Sequence, residues 1–348
     1  MTFRVLSCAA LVVATLLQPA KADEPVGTSH FLALSRERGA DLNVTVWYPA
    51  QAGGEAVTLG DSMLFVGTQA MRDAPIAAGR YPLILLSHGA GLAGTPEALS
   101  WIATPLAGQG FIVAAPTHPG NGGPNRSAAE TMKLWLRPSD LSHALDTIES
   151  QPLFKDHLDG ARVGMLGLSM GGNTALAIAG ARLDAKRLAA YCDTDAINAS
   201  LCEWVRMSGV DLHAIDMRDA ERDNSDPRIR FAMAIDPAPS DVFDAASFAG
   251  ISIPVDIVNL GRRGKIPATA DASGIARAIP HARYDTIEDA SHYSMFGECK
   301  PGAVALVISQ QIGDPVCDDG GGRARGDIHR QLVGMAVRAF DRALKAAP

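Results

Sequence analysis

The segment from Arg162 to Ala177 constrains what this chain can fold into more than any other stretch. It opens on an apolar run short enough for one buried strand. A glycine-flanked turn follows, and then an Ala/Leu-rich helical pattern. The turn reads Gly167-Leu168-Ser169-Met170-Gly171, a G-x-S-x-G sequence between strand and helix. The spacing has a steric reason, because the chain must reverse from strand to helix within about one residue. Ser169 then adopts a strained backbone conformation, and side chains at the flanking glycine positions would collide with the neighbouring strand and helix. Five residues of this type recur by chance in long chains, so the strand before and the helix after carry the assignment.

The rest of the chain repeats that rhythm. Val26 to Pro49 is β-rich and ends in the alternating run Asn43 to Tyr48, closed by Pro49. Residues 50–79, punctuated by Gly53, Gly54 and Pro75, read as a surface excursion. Tyr81 to Ser87 has the continuous apolar character of a central parallel strand, and it ends in His88-Gly89. A helix is expected from about Pro96 to Gln109, a strand at Phe111 to Pro116, and a helix from about Ser139 to Ser150. The segment at 162–177 comes next, and this alternation predicts an α/β protein with a mostly parallel sheet. Residues 184–227 break the pattern with two cysteines and scattered charge, and read as an inserted cap or flap. Strands resume at Ile229 to Ile235 and Ile253 to Val258, with a last one near Arg283 to Ile287. An amphipathic helix from Asp327 to Leu344 places Ile328, Leu332, Met335, Ala336 and Phe340 on one face.

The first 22 residues read as an export signal. Arg4 supplies the charged start, Val5 to Leu17 the apolar core, and Ala20-Lys21-Ala22 the cleavage site. The apolar run, which contains Cys8, is shorter than the roughly 20 residues an ordinary spanning helix needs. Mature protein is expected to begin near Asp23 as one domain, periplasmic or secreted, with no membrane segment left. Four cysteines then remain, an even number in an exported chain. Their short separations favour Cys192–Cys202 and Cys299–Cys317, each contributing about 2–3 kcal/mol by the chain-entropy estimate. No C-x-x-C or histidine-rich spacing supports a metal site, and no cofactor is expected. A net charge of −7 argues against nucleic acid as a partner.

With these pieces in order the chain resembles the α/β-hydrolase superfamily, and within it the secreted dienelactone-hydrolase-like and platelet-activating-factor-acetylhydrolase-like esterases. The resemblance rests on Trp47-Tyr48-Pro49-Ala50, Ser87-His88-Gly89, Ala115 to Gly120, Arg137-Pro138-Ser139-Asp140, the Ser169 turn, and Ala290-Ser291-His292. It implies a carboxylic-ester hydrolase with Ser169 as nucleophile and His292 as base. A serine hydroxyl needs such an imidazole to remove its proton. His118 is the rival histidine, but in similar proteins its His-Pro-Gly loop lines the pocket; His88 shapes the loop after the central strand, and both residues are expected at the pocket. His30, His143, His157, His213, His281 and His329 read as surface residues.

The acid departs from the common pattern. Similar hydrolases often carry an aspartate in a turn after the strand at Val255 to Val258, and here that turn is Gly261 to Lys265, without a carboxylate. The acetylhydrolase-like branch places it after the preceding strand, which points to Asp236, at the carboxyl edge where sites in such sheets collect. Asp256 and Asp289 are the weaker alternatives. The oxyanion of an acyl transfer would be met by the backbone N–H groups of Met170 and Ala90. The same residues could cleave an amide, and a non-catalytic binding protein on this fold is the reading from another class. A small ester or lipid-like substrate is expected, and oligomeric state is not legible.

Overall fold

The structure is a computed structural model that describes residues 25–345. The expected signal and cleavage site, residues 1–22, lie outside the described residues.

Among the described residues the strands are β1 (Val26–Ser35), β2 (Ala40–Pro49), β3 (Glu55–Leu59), β4 (Thr68–Arg72), β5 (Tyr81–Ser87), β6 (Ile112–Pro116), β7 (Leu158–Leu168), β8 (Ile229–Ile235), β9 (Val255–Leu260) and β10 (Arg283–Ile287). They form one 10-stranded sheet in the order β10-β9-β8-β7-β5-β6-β2-β1-β4-β3. From β10 to β6 all neighbours are parallel, while β2 joins β6 and β1 antiparallel. The chain fills β5 and β6, then crosses to β7 on the other side of β5. That reversal opens a crevice at the carboxyl ends of β5 and β7, where ligands collect in open α/β sheets.

Residues 50–79 are not a simple surface excursion. They contain β3 and β4, which pair with each other and extend the sheet past β1. Both are five residues long and largely exposed, and β4 meets β1 at only Gly27↔Met71 and Thr28↔Arg72. Short half-wet edge strands carry little apolar periodicity, and the flanking glycines and proline mask what there is.

The helices are α1 (Ser100–Gly108), α2 (Ala128–Met132), α3 (Arg137–Ser150), α4 (Met170–Ile178), α5 (Ala185–Ala189), α6 (Ala199–Met207), α7 (Ser273–Ala278), α8 (Ala303–Ser309) and α9 (Arg325–Phe340). Strand β5 explains the layering. Leu83 and Leu85 pack into one core with Leu141, Leu145 and Leu176 of α3 and α4. Ile84 and Leu86 point the other way, to Ile102 and Leu106 of α1 and to Leu332 and Phe340 of α9. A strand covered on both faces has to be apolar along its covered length, as β5 is from Pro82 to Leu86. Residues 184–227 hold α5, α6 and a single turn at Leu212–Ala214. Both expected disulfides are formed, Cys192–Cys202 and Cys299–Cys317.

Helix α9 corrects one histidine. His329 is not on the surface: its ring stacks on Trp101 with 3.7 Å between centroids, and Nε2–H donates to the Ser294 carbonyl at 2.9 Å. Burial lowers its pKa from 6.5 to about 4. The unfolded chain therefore takes up this proton between about pH 6.5 and 4 while the folded chain does not. Stability is expected to fall as pH drops through that window, by an amount on the order of 2–3 kcal/mol for this group. Urea unfolding at pH 7, 5.5 and 4.5 measures it, and His329→Phe, which keeps the stack, should flatten the slope. An unchanged slope in that variant would assign the pH dependence to other groups.

Candidate active site

The turn after β7 has the backbone its glycines permit. Ser169 sits at φ 55° and ψ −120°, a left-handed conformation rare for a side-chain-bearing residue. Its N–H is held by the Ile235 carbonyl at 3.0 Å, and its carbonyl accepts from Ala238 N–H at 3.0 Å. A Cβ on Gly167 would lie 1.9 Å from the Gly171 carbonyl oxygen, and one on Gly171 would lie 1.8 Å from the Ser87 carbonyl oxygen. Close approach of backbones, more than turn flexibility, demands these two glycines.

The three residues singled out from the sequence meet at this point. Ser169 Oγ is 3.2 Å from His292 Nε2, and His292 Nδ1 is 2.6 Å from Asp236 Oδ2. Asp236 is fully buried, and its other oxygen accepts from the Leu260 N–H at 2.8 Å and the Asn259 amide at 2.7 Å. With every neighbour a donor, the carboxylate holds a proton on Nδ1 of His292 and leaves Nε2 free to accept from the serine. His292 opens a short helical turn, His292–Met295, whose start is capped reciprocally by Ser291 and Ser294. The far side of that turn is pinned by Trp101 Nε1–H donating to the Met295 carbonyl and by His329 on the Ser294 carbonyl.

The other carboxylates lie elsewhere. Asp256, near the amino end of β9, accepts from Arg342 at 2.8 Å, and Asp289 accepts from Arg323 at 2.9 Å. Neither reaches His292. Asn259 is the site residue that sequence reasoning missed. Its Oδ1 accepts from Ala272 N–H and Tyr284 O–H, both at 3.0 Å, which orients its amide toward Asp236. The signal was present: one amide within the otherwise apolar run Ile257 to Leu260 has to find partners when buried.

A cavity of about 500 Å³ opens over Ser169. Ala90 and Met170 lie in its wall, and neither backbone N–H has an acceptor among the described residues. Met170 also begins α4, so its N–H sits at the positive end of that helix. His88 and His118 do not line this cavity, contrary to expectation: they are 0% and 1% exposed, beneath its floor. Each ring finds its partners inside the protein, and burial keeps both well below the ordinary histidine pKa.

The family profile described as platelet-activating factor acetylhydrolase, isoform II, matches residues 64–142. No curated protein matches the chain. Among solved structures, a ferulic acid esterase from Streptomyces cinnamoneus superposes with a TM-score of 0.61 at 19% identity, covering 96% of this chain and 94% of that one. The chain has the α/β-hydrolase fold.

In this α/β-hydrolase fold the two disulfide loops wall the cavity. Ile197, Asn198 and Leu201 come from the loop closed by Cys192–Cys202, and Gly313 and Asp314 from the loop closed by Cys299–Cys317. The first wall is tied down by Tyr191, whose hydroxyl meets Thr269 at 2.6 Å and accepts from the Asn198 amide at 3.3 Å. The second is tied by Tyr293 O–H donating to Asp314 at 3.0 Å. Arg126 stands at the rim with its guanidinium 4.7 Å over the Trp204 ring of α6. Replacing Cys192 and Cys202 by serine is expected to lower Tm by roughly 5 °C, the consequence of about 3 kcal/mol of lost cross-link. KM should rise more than kcat falls, because the wall moves and the Ser169–His292 pair does not. Calorimetry with steady-state kinetics checks both, and an unchanged KM would separate the loop from substrate binding.

Proposed function

We propose that this protein is a carboxylic-ester hydrolase that works through an acyl-enzyme on Ser169. The observation that carries the reading is the Ser169–His292–Asp236 hydrogen-bond chain opening on a cavity. His292 Nε2 takes the serine proton as Oγ attacks the ester carbonyl, and Asp236 steadies the imidazolium that results. The oxyanion of the tetrahedral intermediate is met by the N–H groups of Ala90 and Met170, which stand ready without having to reorganise. His292 then returns its proton to the departing alcohol, and a water activated by the same imidazole releases the acid. The similarity of residues 64–142 to acetylhydrolases, and of the fold to a ferulic acid esterase, supports an ester over other acyl substrates. Two disulfides support an oxidising compartment and with it the exported state. No helix among the described residues is long and apolar enough to cross a membrane.

The test joins labelling to turnover. A fluorophosphonate should attach to Ser169 by peptide mapping, and the same preparation should hydrolyse p-nitrophenyl acetate. An enzyme inert to both would leave the fold without this chemistry.

A further inference from the structure

A second Ser–His–Asp chain lies beneath the first. Ser87 Oγ is 2.8 Å from His118 Nε2, and His118 Nδ1 is 2.8 Å from Asp140 Oδ2. It repeats the catalytic connectivity atom for atom, yet Ser87, His118 and Asp140 are 0%, 1% and 0% exposed, so no ester reaches it. The proton positions can be read from the partners. Asp140 is gripped by Arg38 through Nε at 3.0 Å and a terminal nitrogen at 2.8 Å, so its oxygens are acceptors and His118 Nδ1 carries the proton. Nε2 of His118 then accepts from the Ser87 hydroxyl, whose oxygen in turn accepts from Arg137 at 3.3 Å. His88 Nε2 accepts from the His118 backbone N–H at 3.0 Å, so its own proton is on Nδ1, donated to the Gly89 carbonyl at 2.8 Å.

This chain ends on Arg137, which is 1% exposed and hydrogen-bonds to no carboxylate among the described residues. Its guanidinium reaches both halves of the oxyanion site. One terminal nitrogen donates to the His88 carbonyl, two residues before Ala90. Nε donates to Thr174 Oγ1 at 2.9 Å, and that hydroxyl donates to the Met170 carbonyl at 3.0 Å. The other terminal nitrogen donates to Asn121 Oδ1 at 3.0 Å, while the Asn121 carbonyl accepts from Gly91 N–H at 2.9 Å. We propose that Arg137, aimed by the Ser87–His118–Asp140–Arg38 chain, is the positioning residue that sets the spacing between the Ala90 and Met170 N–H groups. The proposal rests on the assignment of Ser169 as nucleophile and of those two N–H groups as its oxyanion donors. A planar fork is needed to span the two loops, so lysine cannot substitute even though it keeps the charge. Burial lowers the guanidinium to about 9, which still leaves a cation at neutral pH, held by carbonyl and hydroxyl oxygens.

The experiment compares Arg137→Lys and the milder Ser87→Ala with the native enzyme, each counted by fluorophosphonate titration so that only folded, reactive sites enter kcat. Arg137→Lys should lower kcat about 10–100-fold, somewhat less than deleting an oxyanion donor outright, with KM within about threefold. Ser87→Ala leaves the His88 and Thr174 contacts in place and should lower kcat by several-fold. Across the series, affinity for a trifluoromethyl ketone, which places an oxyanion on the site, should fall in parallel with kcat/KM, while affinity for the carboxylic acid product stays constant. Phe340→Ala, a cavity on the other face of the sheet, serves as the stability control and should lower Tm without moving kcat. If both network variants lose Tm but keep kcat per titrated site, or if Phe340→Ala loses kcat as they do, positioning is refuted. A native enzyme that neither labels nor turns over would refute the nucleophile assignment instead, and the two failures are distinguishable at the first measurement.

Discussion

Ser169→Ala is expected to reduce kcat for p-nitrophenyl acetate by a factor on the order of 10⁶, to the level that binding and the oxyanion donors alone sustain, and to abolish fluorophosphonate labelling. The size follows from the loss of the covalent route, since among the described residues no other hydroxyl hydrogen-bonds to His292 Nε2. Stability should barely move. The serine is half-buried, its Oγ bonds among the described residues only to His292, and alanine meets the same backbone conformation at φ 55° with the same Cβ. The elbow itself is held by backbone contacts, Ser169 N–H to Ile235 and Ala238 N–H to Ser169, which the substitution leaves intact. Purified Ser169→Ala that unfolds at the native temperature and has lost turnover supports the nucleophile assignment. Retention of most of the turnover removes it.

Asp236→Asn is expected to cost about 10⁴ in kcat, the loss that the same change produces in a well-studied serine protease triad. The hydrogen bonds around the carboxylate say why. Leu260 N–H and the Asn259 amide both donate to Oδ1, so an asparagine must keep its carbonyl oxygen there. Its NH₂ then faces His292 Nδ1, where the native residue accepts. The imidazole has to turn its lone pair to Nδ1 and its proton to Nε2, and the ring that should accept from Ser169 becomes a donor. Asp256→Asn and Asp289→Asn break surface pairs with Arg342 and Arg323 and should each stay within about threefold of native kcat. Steady-state kinetics of the three variants, with circular dichroism to establish folding, gives the ranking. A collapse at Asp256 or Asp289 with Asp236→Asn near native would move the acid and spare the Ser169–His292 pair.

Much of the candidate site's local geometry was legible because it is built from short-range patterns. The strand–Ser169–helix turn is a local steric solution, and its two glycines are required by contacts that any such turn makes. His292 and Asp236 were singled out through the family resemblance and the order of the chain, and the fold brings both within hydrogen-bond distance of one another beside Ser169. The cysteine pairs were legible from separation alone, since both close local loops. His88 and His118 went the other way. Their loops do lead to the site, but which side of a loop carries a ring is decided by what packs beneath it, here Arg137 and Asp140 of α3, well beyond both loops in the chain. His329 misled for the same reason, because a ring on an amphipathic helix is wet or dry according to whether something like Trp101 meets it. Edge strands β3 and β4 escaped because half-exposed five-residue strands leave no apolar signature.

Taken by itself, the order of residues determined the layered α/β architecture, the turn that presents Ser169 and the two cross-links. Each depends on periodicity or on neighbours within a few dozen residues, and burial on both faces of β5 leaves an unmistakable apolar run. Only the tertiary structure decided what stands behind the proposed catalytic groups: Asn259 bracing Asp236, the bridged loops walling the cavity, and Arg137 joined to the loops that carry Ala90 and Met170. Those are long-range hydrogen bonds between buried polar groups. Their free energy depends on distances of a few tenths of an ångström and on the exclusion of water, and neither is written in the spacing of residues along the chain.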